Sequence, residues 1–195
     1  MHEIESVGID LGVKCFATLS DGSKIEAPKQ LKSAKIKLSK TQWRNLNKQL
    51  GNGRLRVKTS NNAHRYFKQL AGKYAQIANV RKDFLQKTTT AISQKYYRIR
   101  IEDLNISGMI ANHKLSKAIS SLGLYEFRRQ LTYKERFYGT SVELVDRWYP
   151  SSKTCSCCGH TQPMPLSERV YNCGECGHVL SSGRECSNEL KTRPQ

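Results

Sequence analysis

The chain has 195 residues, enough for one domain of ordinary size plus a small appended module. Its 33 Lys and Arg outnumber 16 Asp and Glu for a formal net charge of +17, a field that attracts polyanions, nucleic acid before any other. No stretch is long or apolar enough to cross a membrane and no signal peptide stands in front, so the seven cysteines fit a reducing compartment better than a disulfide framework.

The N-terminal segment reads as a β-meander. Val7–Leu11 and Phe16–Leu19 supply two strands, Ser20–Asp21–Gly22–Ser23 a turn, and Ile25 a third strand. Asp10 sits inside the first strand, between Ile9 and Leu11, where strand centres normally avoid Asp. Glycines at positions 8 and 12 leave room for other groups to approach that backbone.

The next third of the chain carries the charge. From Lys29 to Arg100 there are 19 Lys and Arg and a single acid, Asp83. A run of this kind is often only a solvated face. Here Phe67, Leu70, Tyr74, Ile77, Phe84, Thr88, Ile92 and Tyr96 recur mostly at three and four residues, which predicts one face of a long helix. A shorter helix is expected before it, with Ile36, Trp43, Leu46 and Leu50 inward, and Gly51–Asn52–Gly53 breaks the chain between the two. The product is a helical hairpin with a cationic outer surface. Lys68, Lys73, Arg81, Lys82 and Lys87 are its candidate phosphate contacts.

A strand follows at Ile99–Ile101 and ends in Glu102, then a helix near Leu115–Phe137 and a strand at Ser141–Val145. Three strands, helices, a strand, a helix and a strand is the order of a ribonuclease-H-like α/β domain. If the first strand lies beside the one ending in Glu102, Asp10 and Glu102 make a candidate divalent-metal site. Paired magnesium ions in such sites activate water and stabilise the leaving oxygen of a phosphodiester. Either acid alone is weak evidence, because a strand-end acid is more often a cap or a surface residue.

Two C-x-x-C pairs close the pattern, Cys155 with Cys158 and Cys173 with Cys176, each followed at once by glycine. Two tight turns that each aim two sulfurs at one point fit a tetrahedral zinc ion. Cys15, Cys157 and Cys186 are left over. His160 and His178 are expected to be neighbours of the site rather than ligands, and Trp148 and Tyr149 to pack at its entry.

The motifs GIDLGVKCFATLSDG, IEDLNISGM, WYPSSKTCSCCG and YNCGECGHVL together resemble the C-terminal nuclease half of TnpB proteins, transposon-encoded relatives of type V CRISPR effectors. The resemblance covers about residues 5–180. It implies a mixed RuvC-like sheet over residues 1–150 with the basic helical insertion at about 29–97, a zinc ribbon at 151–180 and a divergent tail at 181–195. It implies an RNA-guided, magnesium- or manganese-dependent DNA endonuclease of prokaryotic mobile elements, cytoplasmic and nucleoid-associated, with DNA and a guide-like RNA as partners. Asp10 and Glu102 would be catalytic carboxylates, and Cys155, Cys158, Cys173 and Cys176 the ligands of a structural zinc. The chain departs from the pattern in two places. The family's N-terminal half does not precede Met1, and Gly183 stands where a third carboxylate is expected, with Glu185 the nearest acid. These departures predict a truncated, catalytically impaired nuclease. The alternative is a non-catalytic nucleic-acid-binding zinc-ribbon protein.

Overall fold

The computed structural model describes residues 4–13, 15–48, 59–111, 113–146, 153–164, 170–181, 187–188 and 190–191. The chain divides into two units, residues 1–27 with 85–195, and residues 28–84.

The larger unit is built on a mixed sheet. Its strands are β1 (Ile4–Leu11), β2 (Ala17–Leu19), β3 (Lys24–Ile25), β4 (Tyr96–Glu102) and β5 (Ser141–Val145), in the order β3-β2-β1-β4-β5. The meander β1–β2–β3 is antiparallel, while β4 pairs in parallel with both β1 and β5. Register sorts the side chains onto two faces. Val7 lies beside Ile99 and Ile9 beside Ile101, all four buried, so one face is apolar. The alternate residues, Gly8 and Asp10 on β1 and Arg100 and Glu102 on β4, share the other face.

Helices α3 (Ile106–Ala111), α4 (His113–Leu122) and α5 (Leu124–Tyr138) connect β4 to β5. The single helix expected near Leu115–Phe137 is therefore two. Gly123 divides them at φ +73°, a left-handed conformation that costs glycine little. Phe127 of α5 is fully buried and meets Phe16 edge to face at 5.1 Å. Burying a side chain of that size stabilises the fold by about 1.5–3 kcal/mol. A buried polar link joins α5 to the last turns of α2 (Asn61–Lys95): the Lys134 ammonium donates to the Gln86 carbonyl and to the Thr89 and Thr90 hydroxyls at 2.7–3.0 Å.

The smaller unit contains α1 (Lys29–Arg44) and the first two-thirds of α2. The expected inward face of α1 is corrected. Ile36 is 50% exposed, Trp43 75% and Leu46 71%, whereas Leu31 and Leu38 are buried. Ile36 and Leu38 differ by two residues, about 200° around a helix, so the buried face is nearly opposite the one the larger side chains suggested. Leu50 and Gly51–Gly53 lie outside the described residues. Helices α1 and α2 are joined by Gln42 Nε2 donating to the Tyr74 hydroxyl at 2.9 Å and Lys73 Nζ donating to Thr41 Oγ1 at 2.5 Å. Tyr74 is thus half exposed rather than core. On α2 the buried positions are Ala63, Tyr66, Leu85, Thr89, Ile92 and Ser93, and Tyr96 belongs to β4.

Candidate metal centres

The cysteine site is assembled from two copies of one turn. In the first, Gly159 N–H donates to the Cys155 carbonyl and Cys155 N–H donates to the His160 carbonyl, both at 2.8 Å. In the second, Gly177 N–H donates to Cys173 O at 3.0 Å and Cys173 N–H to His178 O at 2.9 Å. Gly159 at φ +75° and Gly177 at φ +69° occupy the left-handed corner of each turn, where a side chain would be strained. The turns are held face to face by Gln162, whose amide donates to Asn172 O at 2.7 Å and accepts from Gly174 N–H at 3.0 Å. Strands β6 (Val170–Asn172) and β7 (Val179–Ser181) pair beside them, and Tyr171 is buried against Cys155 and Cys173.

All four sulfurs lie within 4.8 Å of one another. Cys155 Sγ is 3.6 Å from Cys176 Sγ, and Cys158 Sγ is 3.6 Å from Cys173 Sγ. A disulfide would need about 2.05 Å. Four sulfurs around zinc at about 2.3 Å would be about 3.8 Å apart, so donor type and spacing both fit that ion. Backbone N–H groups of Cys176 and Glu175 donate to the Cys173 sulfur and hold its thiol below the ordinary thiol range. Cys157 is exposed and outside the cluster. His160 and His178 act through their carbonyls, and their rings are not part of the cluster.

The acidic pair lies on the sheet. Ile9 pairs with Ile101, and the next residue on each strand is Asp10 and Glu102. Neighbouring strands run about 4.8 Å apart, and alternation points both residues to the Gly8–Arg100 face. Burial, with the nearby Asp103 charge adding to it, raises the Glu102 carboxyl above its ordinary range. Among the described residues no side chain hydrogen-bonds to the Glu102 carboxylate. Asp103 is instead ion-paired with Arg128 of α5.

A short C-terminal segment crosses that same face, which the sequence did not foretell. Ser187 Oγ donates to Thr18 O at 2.7 Å, and Thr18 is the register partner of Asp10. Leu190 is buried against Val145. Arg100 Nη1 donates to Lys191 O at 2.6 Å while its Nε donates to Glu143 at 2.6 Å. A Cβ on Gly8 would stand 1.9 Å from Ser187 O, so only glycine admits the segment there. Glycine inside a strand was the available signal, and what approaches it was not. Gly183 and Glu185 lie outside the described residues, as do Trp148 and Tyr149.

The five basic candidates sit on α2 but not on one face. At about 100° per residue, Lys68 and Lys82 share one side, Lys73 and Lys87 roughly the opposite side, and Arg81 falls between. Lys68, Lys82 and Lys87 are exposed, Arg81 is half-buried, and Lys73 is bonded to Thr41.

Residues 2–113 match a family model, OrfB of IS605-type elements, described as a probable transposase. The chain belongs to that family. Residues 125–183 further match the TNB domain of Cas12f1-like proteins, a span that includes all four clustered cysteines. A Streptomyces pristinaespiralis protein and InsQ of Escherichia coli K12 are each 36% identical, over 89% and 86% of this chain. A Mycobacterium tuberculosis relative is 30% identical over 87% of it. All three are provisionally named RNA-guided DNA endonucleases. The chain spans only 41%, 43% and 37% of those relatives' own lengths. Among solved structures, the fold is similar to the Cas12f1 chain of a complex with sgRNA and target DNA, with a TM-score of 0.65 over 95% of this chain and 49% of that one, at 15% identity. Among the described residues of this OrfB-family chain, no helix is long and apolar enough to cross a membrane.

Proposed function

We propose that this chain is the nuclease portion of a TnpB-type, RNA-guided DNA endonuclease, with a RuvC-like sheet of the ribonuclease-H type and a structural zinc ribbon. The observation that carries the reading is the placement of Asp10 and Glu102 one step beyond a paired Ile9 and Ile101, at the ends of two parallel strands. The names of the relatives and the likeness to the Cas12f1 chain support it.

Cys155, Cys158, Cys173 and Cys176 would hold the zinc, which closes a module with little core of its own. Asp10 and Glu102 offer the hard oxygen donors that magnesium or manganese takes. A divalent ion bound there supplies water activation and charge neutralisation at the leaving oxygen of a phosphodiester. The protein's own share is to present two carboxylates on one face, to keep Glu102 partly desolvated, and to hold Asp103 on Arg128. DNA and a guide-like RNA are the partners that the basic charge and the family favour.

The third carboxylate is the open position. Ser187, two residues after Glu185 in the sequence, donates its hydroxyl to Thr18 O on the strand beside Asp10. Gly183 has no side chain to offer, and Glu185, the nearest acid in the sequence, is our candidate third ligand. A Glu is one methylene longer than the family's Asp, which argues for weak cleavage by this chain. The test is DNA cleavage with magnesium or manganese by wild type, Asp10→Ala, Glu185→Gln and Gly183→Asp. Weak cleavage lost in Asp10→Ala and in Glu185→Gln is expected. Cleavage indifferent to Asp10→Ala would refute the metal assignment. Cleavage that survives Glu185→Gln and rises in Gly183→Asp would locate the third position at residue 183 instead.

A further inference from the structure

We infer that Arg100 is a positioning residue for the Asp10–Glu102 face, acting by seating the C-terminal segment across it. The inference rests on the metal-site reading above and adds a residue that the sequence motifs do not contain.

Arg100 sits two residues before Glu102 on β4 and therefore on the same face. Its side chain is 8% exposed, an expensive place for a cation unless its donors are used. They are used in two directions at once. Nε donates to the Glu143 carboxylate of β5, and Nη1 donates to the Lys191 carbonyl. The planar fork of a guanidinium serves both acceptors in one fixed plane, which the point charge of a lysine does not. The anchored segment then lies across three strands. Ser187 bonds to β2, the Ser187 carbonyl and Lys191 N–H occupy the space over Gly8 of β1, and Leu190 covers Val145 of β5. Val145 is the register partner of Glu102, and Thr18 that of Asp10. The segment thus touches the strand neighbours of both acids from opposite sides. It covers the face at Gly8 and Val145, leaving both acids partly exposed, and fixes the backbone from which each carboxylate projects.

The experiment uses the full chain and Mn2+ as the probe. Mn2+ affinity is measured by electron paramagnetic resonance for wild type, Arg100→Met, Arg100→Lys, Gly8→Ala, the Arg100→Met/Gly8→Ala double variant and Asp10→Ala. Zinc content and amide exchange of β1 and β4 report whether each variant folds, and amide exchange at residues 187–191 reports the seat. Arg100→Met is expected to weaken Mn2+ binding at least tenfold and to speed exchange at 187–191, with zinc content and sheet protection kept. Arg100→Lys recovers only part of the affinity. Gly8→Ala unseats the segment from the other side without touching the guanidinium. It gives the same loss, and the double variant loses no more than either single one. Additive losses, or wild-type Mn2+ affinity in a folded Arg100→Met protein whose 187–191 amides exchange fast, overturn the inference. If Arg100→Met fails to fold, Gly8→Ala decides: normal Mn2+ affinity with the segment released overturns it. Unchanged affinity in Asp10→Ala, or no Mn2+ binding by wild type, overturns the metal-site reading and this inference with it.

Discussion

Glu102 is held on the sheet face at a cost to folding. Its carboxyl is pushed above the ordinary range by burial first and by Asp103 second. The folded protein therefore binds that proton more tightly than the unfolded chain does. This group's contribution improves as pH falls toward the ordinary carboxylate value and worsens as pH rises through the raised one. Glu102→Gln should stabilise the metal-free protein at pH 7–8 by on the order of 1 kcal/mol, water at its open side limiting the gain. The gain should shrink at pH 4, and thermal melts at the two pH values measure it. The same variant should lose Mn2+ binding, so stability and metal affinity move in opposite directions. A charge inside an apolar run was readable in the sequence for Asp10, because strand centres avoid acids, whereas Glu102 was readable only as the acid that ends a strand. Arg100 gave no such signal. It is one cation among 19 in its stretch, and only the fold distinguishes a buried fork from a solvated side chain.

The strands were legible as elements because alternation and the Asp21–Gly22 turn are local signals: β5 falls where the sequence put it, and β1, β2 and β4 overlap their expected spans, β1 and β4 each beginning three residues earlier. The inward face of α1 was not legible. Periodicity identifies a stripe, but the partner decides which stripe is covered, and α1 carries two. The tie between the β2–β3 turn and the α2–β4 junction was also out of reach, since 75 residues separate Asp21 from Tyr96. Burial pushes the Asp21 carboxyl up, but hydrogen bonds from Ser23, Tyr96 and Lys95 outweigh it and hold it well below the usual range. The folded state thus favours the ionised form, and the stabilisation is present above the unfolded value and lost as pH falls through the lowered one. Asp21→Asn should cost about 1 kcal/mol at pH 7, seen as a lower denaturant midpoint. The difference from wild type should narrow progressively below pH 4. An unchanged midpoint at pH 7 would show that the turn is held by its own Ser23 contacts alone.

At the scale of the molecule, metal and charge act on different parts. Cys155→Ser with Cys173→Ser should abolish zinc in elemental analysis and release amide protection over residues 153–181, leaving the β1–β4–β5 protection in place. Retained zinc would refute the ligand set. Nucleic-acid affinity should respond instead to salt, because its source is a formal charge of +17 concentrated between Lys29 and Arg100. If about six phosphates are neutralised, affinity falls roughly 10³-fold between about 50 and 200 mM salt. The arrangement on α2 sharpens this into a residue-level expectation. Lys68 and Lys82 are exposed on one side of the helix, whereas Lys73 is already committed to Thr41. Reversing Lys68 and Lys82 to Glu should weaken binding similarly for unrelated DNA sequences and lower the salt slope by about two, since phosphate contacts carry no sequence information. Lys73→Gln should change the salt slope little and cost stability in the smaller unit instead. Fluorescence-anisotropy titrations at several salt concentrations separate the two outcomes. A flat salt dependence for wild type would mean that the basic stretch is a solvated face, and equal losses from Lys73→Gln and from the Lys68/Lys82 reversal would mean that the cationic surface has no preferred side.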